Sequence, residues 1–307
     1  MNKTVLKVGL VVIVLGIVVV MAGIIPFFNI LGVSGLYVLA ISHPVVNDSY
    51  PVYKTVTPDI TDEEVKRIGA LFNVSGDVQD YIPSTGISRI SDYSKDPQAV
   101  LEVYRNSGAF RYQIPDKALP YSTDRQPDLP SDEEAREIAT KYLQERDLLP
   151  DDMHFTTVSI GSQSGEGSPT SLTLNDLTKD VRFVKKIQGI QVYNGGITVR
   201  IGDKGEVVSA GSSLRELEPE PFRYVKIITP EQAYLRLLSN DVVIRLTCCT
   251  GSYIVNNISL GYWMESESSH QKYVLPVYVF SCVSRDGTEE FNLYVWAIEP
   301  SEMQEFS

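Results

Sequence analysis

The chain has 307 residues, which is enough for two or three domains that each bury their own core. Hydrophobic residues make up 43% of the sequence and charged residues 21%, as is typical of globular proteins. The formal net charge is −12, and because an acidic surface repels phosphate groups, we expect no nucleic acid among the partners.

An apolar run near the N-terminus is long enough to cross a lipid bilayer. No charged residue occurs from Val8 to Phe28, and a helix of about 20 apolar residues spans the hydrocarbon core. A cleaved signal peptide would have a shorter apolar region followed by a small-residue cleavage site, which favours an uncleaved anchor here. Lys3 and Lys7 precede the run, so the positive-inside rule predicts a cytoplasmic N-terminus and an extracytoplasmic remainder.

A second apolar patch follows, from Asn29 to Ile41. It is short for a membrane span and contains Gly32, Ser34 and Gly35, so we interpret it as an interfacial segment or a first strand. The alternative is a second span, which would return the rest of the chain to the cytoplasm. We therefore assign residues 1–46 to the anchor and its juxtamembrane segment.

Three later segments have the signature of a helix N-terminus. Thr61, Ser131 and Thr229 are each followed three residues later by Glu or Gln, which is the spacing of a capping box. Apolar residues then recur at helical spacing after each cap. The pattern predicts three helices that each bury one face.

Strand-like segments follow each predicted helix. Alternating apolar and polar residues predict strands at 78–82, 87–90, 99–104 and 109–114, then at 155–160 and within 181–210, and finally at 253–264, 273–283 and 291–298. Within 181–210 we interpret Gly189 and the Asn194-Gly195-Gly196 triplet as tight turns, and Gly202 to Gly205 as the turn of a hairpin.

The repeated order of helix and strands predicts an α+β fold built from three modules. Each module is expected to be a helix packed on an antiparallel sheet. Linkers that contain several prolines, at residues 115–130 and 216–221, separate a first α+β module at 47–128, a second at 129–219 and a third at 220–307.

The second module resembles the PepSY and fungalysin/thermolysin-propeptide family. The resemblance lies in residues 131–143, the Arg182-Phe183 pair, the stretch from Gly189 to Ile197, and the Asp203-Lys204-Gly205-Glu206-Val207 hairpin. It covers about residues 129 to 215 and departs from the family pattern at Gln191, where proline is usual, and at Asn194. It implies a PepSY-like fold for this module.

The third module resembles the C-terminal half of the YycH/YycI family, in residues 229–234, 258–263 and 274–280. Members of that family are membrane-anchored extracytoplasmic regulators of a sensor histidine kinase. The resemblance implies PepSY-like modules behind one N-terminal span, and it carries over no catalytic residue.

We find no spacing typical of a catalytic, cofactor or metal site. His43, His154 and His270 are far apart and form no metal-binding motif. The cysteines are Cys248, Cys249 and Cys282; a disulfide between Cys249 and Cys282 and three buried thiols are both open possibilities. We therefore expect neither catalysis nor a bound cofactor.

Aromatic side chains are dense in the third module. They either form its core or line a groove for a partner, and the candidates for partner binding are Tyr262, Trp263, Tyr278, Tyr294 and Trp296. The leading hypothesis is a non-catalytic, membrane-anchored extracytoplasmic protein that modulates an envelope peptidase or a sensor kinase. The alternative is a cell-surface receptor for a small ligand or peptide that uses the aromatic face of the third module.

Overall fold

A computed structural model describes residues 36–39, 46–118, 127–161, 177–243, 252–287 and 290–306. Across these ranges, no helix is both long enough and apolar enough to cross a membrane. The predicted anchor from Val8 to Phe28 lies outside the described residues. Of the second apolar patch, Leu36–Leu39 is a strand.

The fold is mixed α/β, rich in sheet and poor in helix. The strands are β1 Leu36–Leu39, β2 Ser49–Lys54, β3 Gln79–Ile82, β4 Ile87–Asp92, β5 Ala99–Tyr104, β6 Phe110–Gln113, β7 Met153–Gly161, β8 Thr178–Ile187, β9 Ile190–Ile201, β10 Val207–Ser212, β11 Arg223–Lys226, β12 Ser252–Trp263, β13 Tyr273–Ser284 and β14 Glu290–Trp296. The helices are α1 Asp62–Leu71, α2 Pro115–Ala118, α3 Asp132–Gln144, α4 Pro230–Leu238 and α5 Pro300–Met303.

The three predicted helices form where their caps predict them. Thr61, Ser131 and Thr229 are the N-caps of α1, α3 and α4, and each side-chain oxygen accepts a hydrogen bond from the backbone N–H three residues later. In α3 and α4 the residue at that position bonds back to the cap, which completes the capping box. Each cap is worth about 1 kcal/mol because it satisfies a backbone donor that the helix leaves unpaired.

Contacts group the chain into two compact units. One contains residues 1–49, 226–260 and 277–304, and the other contains residues 50–225, 261–276 and 305–307. The division into three modules at 47–128, 129–219 and 220–307 stays a prediction.

In the second unit, eight strands form one antiparallel sheet in the order β3-β4-β5-β6-β10-β9-β8-β7. This corrects the expectation of a separate helix-on-sheet module for each segment, because β6 of the predicted first module pairs with β10 of the second. Parallel pairs also occur, since Val192 and Tyr193 of β9 pair with Tyr262 and Trp263 of β12. Strand pairing between distant segments is not visible in local periodicity.

Cross-strand rows of side chains give this sheet two different faces. One row faces the core and is apolar: Ile90, Leu101, Tyr112, Ala210, Val199, Val181 and Val158. Helices α1 and α3 pack on it through Val65, Ile68, Ala135, Ala139 and Leu143. The rows on either side of the apolar row point to the opposite face, because side chains alternate along a strand.

Phe72, just after α1, joins the two helices over this core. Its ring stacks on Tyr112 at a centroid distance of 4.8 Å and on Tyr142 of α3 at 6.5 Å. Aromatic pairs at such distances add about 0.5–1.5 kcal/mol beyond the area that they bury. A single core therefore lies under strands from both of the first two predicted modules.

In the first unit, β13 and β14 pair antiparallel from Val277↔Trp296 to Val283↔Glu290, β1 pairs parallel with β12, and α4 packs against β14. The Tyr278 hydroxyl donates to the Ile228 carbonyl at 2.8 Å, and the Tyr278 side chain is buried.

The Asn194-Gly195-Gly196 triplet is not a turn, which corrects the sequence prediction. It lies inside β9, where residues 192–195 leave β8, since Val184 pairs with Gly196 and Lys186 pairs with Gln191. The freed segment bonds to the end of β12 instead, with Met264 N donating to Tyr193 O at 3.0 Å and Asn194 Nδ2 donating to Met264 O at 2.9 Å. The triplet is thus a bulge that redirects β9 toward a second neighbour.

The two glycines of the triplet are required by close approach. A Cβ on Gly196 would lie 2.5 Å from the Phe183 carbonyl oxygen, and one on Gly195 would lie 2.8 Å from the Met264 sulfur. Within the triplet, only Asn194 has a positive φ, of 58°. Gly189 does have a positive φ, of 82°, between β8 and β9, as the sequence predicted.

We expect Gly196→Ala to lower the free energy of unfolding by about 1–3 kcal/mol, because its methyl group meets backbone that cannot move without opening the β8–β9 pair. Gly202→Ala is the matched control. Its Cβ would meet the Val208 Cγ1 atom at 3.0 Å, and a side chain can turn aside. Urea unfolding of both variants measures the difference, and equal losses would contradict this account of Gly196.

Candidate functional site

The candidate site is the face of the eight-stranded sheet that points away from α1 and α3, which we call the outer face. Two cross-strand rows form it. The first outer row contains Gln79, Arg89, Glu102, Arg111, Gly211, Thr198, Arg182 and Thr157, and the second contains Ser91, Val100, Gln113, Ser209, Arg200, Asp180 and Ser159. All but two of these residues, Gly211 and Val100, have polar side chains.

A cleft of about 340 Å³ opens on this face. Its floor comes from β6, β9 and β10, and Glu267 lies at its wall. Gly196 and Gly211 belong to the floor, and a Cβ on Gly211 would lie 3.2 Å from the Phe110 carbonyl oxygen. The floor therefore lacks side chains at two points where neighbouring strands approach closely.

Most of the charged groups of the outer face are already paired. Arg200 forms two hydrogen bonds of 2.7 Å with the Asp180 carboxylate, and these bonds raise the pKa of Arg200. Arg89 binds Glu102 on the neighbouring strand. Paired ions of this kind hold their side chains in place and contribute little net charge to the surface.

Arg111 is the exception inside the cleft. Glu102 stands directly opposite it on β5 but is bound by Arg89, and none of the described acidic side chains forms an ion pair with Arg111. Burial raises the pKa of the nearby Tyr104 phenol, the positive charge of Arg111 opposes this rise, and Glu102 and Glu267 add to it. Arg111 is therefore an exposed cation in the cleft, and no ion pair with a described acidic side chain balances its charge.

The wall of the cleft is a loop held by one buried arginine. Arg215 is 3% exposed, and its guanidinium donates to the carbonyl oxygens of Glu265 at 2.6 Å, Ser266 at 2.7 Å and Ser269 at 2.8 Å. Burial lowers the pKa of Arg215, and the charges of Glu265 and Glu267 oppose that shift. Arg215 lies three residues after the end of β10.

Two residues of the β5–β6 turn hold the same loop from the other side. Ser107 Oγ donates to the Glu267 carbonyl at 2.6 Å, and Asn106 Nδ2 donates to the Ser268 carbonyl at 3.1 Å. Gln271 closes the loop with hydrogen bonds to the carbonyls of Trp263 and Tyr273. The loop is therefore fixed along its length before any ligand arrives.

The aromatic residues predicted to bind a partner lie mostly in the interior. Tyr262, Trp263 and Tyr278 are at most 2% exposed, and the Tyr262 hydroxyl donates to the Pro51 carbonyl at 2.9 Å. Tyr294 and Trp296 are half-buried on β14. Their register places them on one face of the hairpin and Tyr278 on the other, as the alternation predicted. Partner binding by these five residues stays a prediction, and the burial of three of them does not favour it.

The other residues considered in the sequence are dispersed. Cys282 is buried in β13, whereas Cys249 and His43 lie outside the described residues, so the disulfide with Cys249 stays a prediction. His154 on β7 and His270 are exposed. In the ranges that the structure covers, no cluster of three or more His, Cys, Asp or Glu side chains could hold a metal ion.

Sequence reasoning missed the residues that define this site: Arg111, Arg200, Arg215 and Glu267. Arg200 lies between Val199 and Ile201 in the region predicted as strands, and Arg111 alternates with the apolar residues of its strand in the same way. Alternation shows that such residues share a face with other polar groups. It does not show which distant strands complete that face.

Comparison with known proteins supports the propeptide resemblance in part. Residues 178–214 match the Fungalysin/Thermolysin Propeptide Motif, a module of the inhibitory and regulatory kind. The match covers β8, β9 and β10 with the bulge between them. No curated protein matches the chain. A solved structure of an uncharacterized protein from Eubacterium rectale ATCC 33656 is similar over 84% of this chain and 85% of that chain, with 13% identity and a TM-score of 0.48.

We expect Arg215→Met to lower the free energy of unfolding by about 2–4 kcal/mol, because three loop carbonyls lose a charged donor. Hydrogen exchange in residues 265–271 should also become faster. Arg67→Met is the control, since Arg67 forms an ion pair with Glu64 on the exposed surface of α1, and such a pair contributes roughly 0–1 kcal/mol. Unchanged exchange in the loop of the Arg215 variant would contradict the role given to this residue.

Proposed function

We propose that this protein is a non-catalytic binding and regulatory protein of the cell envelope, and that its outer face docks on an envelope peptidase or on the extracytoplasmic part of a sensor kinase. The observation that carries the proposal is the position of the propeptide motif. The matched strands β8, β9 and β10 supply six of the fifteen residues in the two outer rows, and β9 and β10 also belong to the floor of the cleft. The motif takes its name from the propeptides of two peptidases, fungalysin and thermolysin, and this favours a peptidase as the partner.

The form of the outer face supports binding. It is a broad polar surface on a sheet whose other face is covered by α1 and α3. The wall of its cleft is held by Arg215, Ser107 and Asn106. A surface fixed in advance loses little conformational entropy when a partner docks, so more of the contact energy appears as affinity. The sensor kinase remains a candidate through the sequence resemblance of residues 229–280 alone.

Recovery of crosslinked partners tests this proposal. A photoreactive amino acid at Thr157, exposed on the first outer row, should capture a peptidase or a sensor kinase from membranes of cells that make the protein naturally. The same amino acid at Glu137, exposed on α3, is the matched control because it lies on the helical side of the sheet. Mass spectrometry identifies the captured proteins, and the same set from both positions would refute docking at the outer face.

The membrane location is part of the proposal and is supported by sequence. The uncharged run from Val8 to Phe28 is of spanning length, and Lys3 and Lys7 precede it. We expect protease added outside intact cells to degrade residues beyond 46 while the N-terminus stays protected. Degradation only after the cytoplasmic side is opened would show the reverse topology.

A further inference from the structure

Two arginines of the first outer row carry positive charges that no ion pair balances within the described part of the chain. Arg111 on β6 and Arg182 on β8 are both exposed, and among the described acidic side chains none forms an ion pair with either of them. Between them in the row lie Gly211 and Thr198. The two arginines therefore lie on the same face of the sheet, separated by one residue without a side chain and one with a short polar side chain.

The outer face is positive although the chain as a whole is negative. The other charged groups in its two rows cancel in pairs, Arg89 with Glu102 and Arg200 with Asp180. Arg111 and Arg182 then leave two positive charges in these rows against the one negative charge of Glu267 at the cleft wall, on a protein whose net charge is −12. Charge complementarity therefore favours an acidic ligand for this face.

The spacing of the two arginines fits an extended peptide. They are three strands apart in the order β6-β10-β9-β8, which corresponds to about 14 Å at the usual distance between neighbouring strands. An extended chain rises about 3.3 Å per residue and turns every second side chain to the same side. Two acidic side chains four residues apart therefore span about 13 Å and point the same way.

The groups between the arginines suit the backbone of such a peptide. Gly211 has no side chain to obstruct its path, and within the described chain the side chains of Thr198 and Gln113 make no hydrogen bond. A peptide that crosses the strands would offer backbone N–H and C=O groups to this hydroxyl and this amide. Both polar residues line the cleft beside Arg111.

We propose that the outer face binds an extended acidic segment of the partner protein, in which two carboxylate side chains four residues apart contact Arg111 and Arg182. This inference rests on the proposed function and gives the chemistry of the docking segment. Glu267 limits the sequence of the bound segment, because this residue lines the cleft and its negative charge repels further acidic residues near Arg111.

Binding of short peptides to the purified full-length protein in detergent tests the inference. The probe is a fluorescent peptide of Gly, Ser and Thr with two Glu residues four positions apart, measured by anisotropy at low ionic strength. Arg111→Gln and Arg182→Gln should each weaken its binding roughly three- to tenfold, and added salt should weaken it further. Lys141→Gln, which removes the same charge from the exposed surface of α3, should leave binding unchanged.

One variant should bind more tightly than the natural protein. Glu267→Gln removes a negative charge that repels the acidic peptide, and we expect it to strengthen binding of the spaced peptide about two- to threefold. Its backbone carbonyl still accepts from Ser107 and the loop stays in place. A gain of affinity cannot be explained by a loss of folding.

Three results would overturn the inference. The first is equal binding of a peptide whose two Glu residues are adjacent, and the second is equal binding of a single-stranded oligonucleotide of the same charge. The third is unchanged binding by the double variant Arg111→Gln/Arg182→Gln. If crosslinking at Thr157 captures a peptidase or kinase and the spaced peptide still fails, only this inference falls. If the peptide binds and no such protein is captured, the proposed function falls instead.

Discussion

The pairing of β6 with β10 is the interaction on which the architecture of the second unit depends. It joins Phe110–Gln113 to residues 209–212, and through it two groups of strands that are separate in sequence become one sheet. The apolar row from Ile90 to Val158 becomes continuous only there, which lets α1 and α3 share one core. A larger common core buries a greater fraction of apolar surface than two small ones would, and it is correspondingly more stable.

The same pairing creates the outer face. Arg111 comes from β6, Gly211 from β10, and Thr198 and Arg182 from the two strands beyond. These residues are neighbours in space only because the register across β6 and β10 is fixed. A shift of one residue would turn the arginine toward the core and Tyr112 toward solvent. The apolar row therefore fixes the position of the polar rows, since burying a guanidinium without a partner costs several kcal/mol.

Arg215 shows how backbone carbonyl groups can accommodate a buried charge. Its guanidinium is enclosed by backbone carbonyls of the 265–271 loop, and carbonyl dipoles that point at a cation stabilise its charge. The loop in turn gains a fixed shape that its own sequence does not specify. Together with the β9 bulge, which binds Tyr193 and Asn194 to Met264, this arginine ties residues 261–271 to the propeptide-like strands.

The sequence by itself determined the features that depend on neighbours along the chain. The caps at Thr61, Ser131 and Thr229, the strand from Ala99 to Tyr104 and the turn at Gly189 were all predictable, because hydrogen bonds and side-chain alternation over a few residues decide them. The propeptide resemblance of the β8–β10 region was also visible, and residues 178–214 match that motif.

The tertiary structure alone decided that the Asn194-Gly195-Gly196 triplet is a bulge rather than a turn. It alone brought Arg111 and Arg182 into one row and placed Arg215 under a distant loop. These outcomes depend on pairing between segments far apart in sequence, and the free energy of such pairing is set by the shared core that they build, not by local propensity.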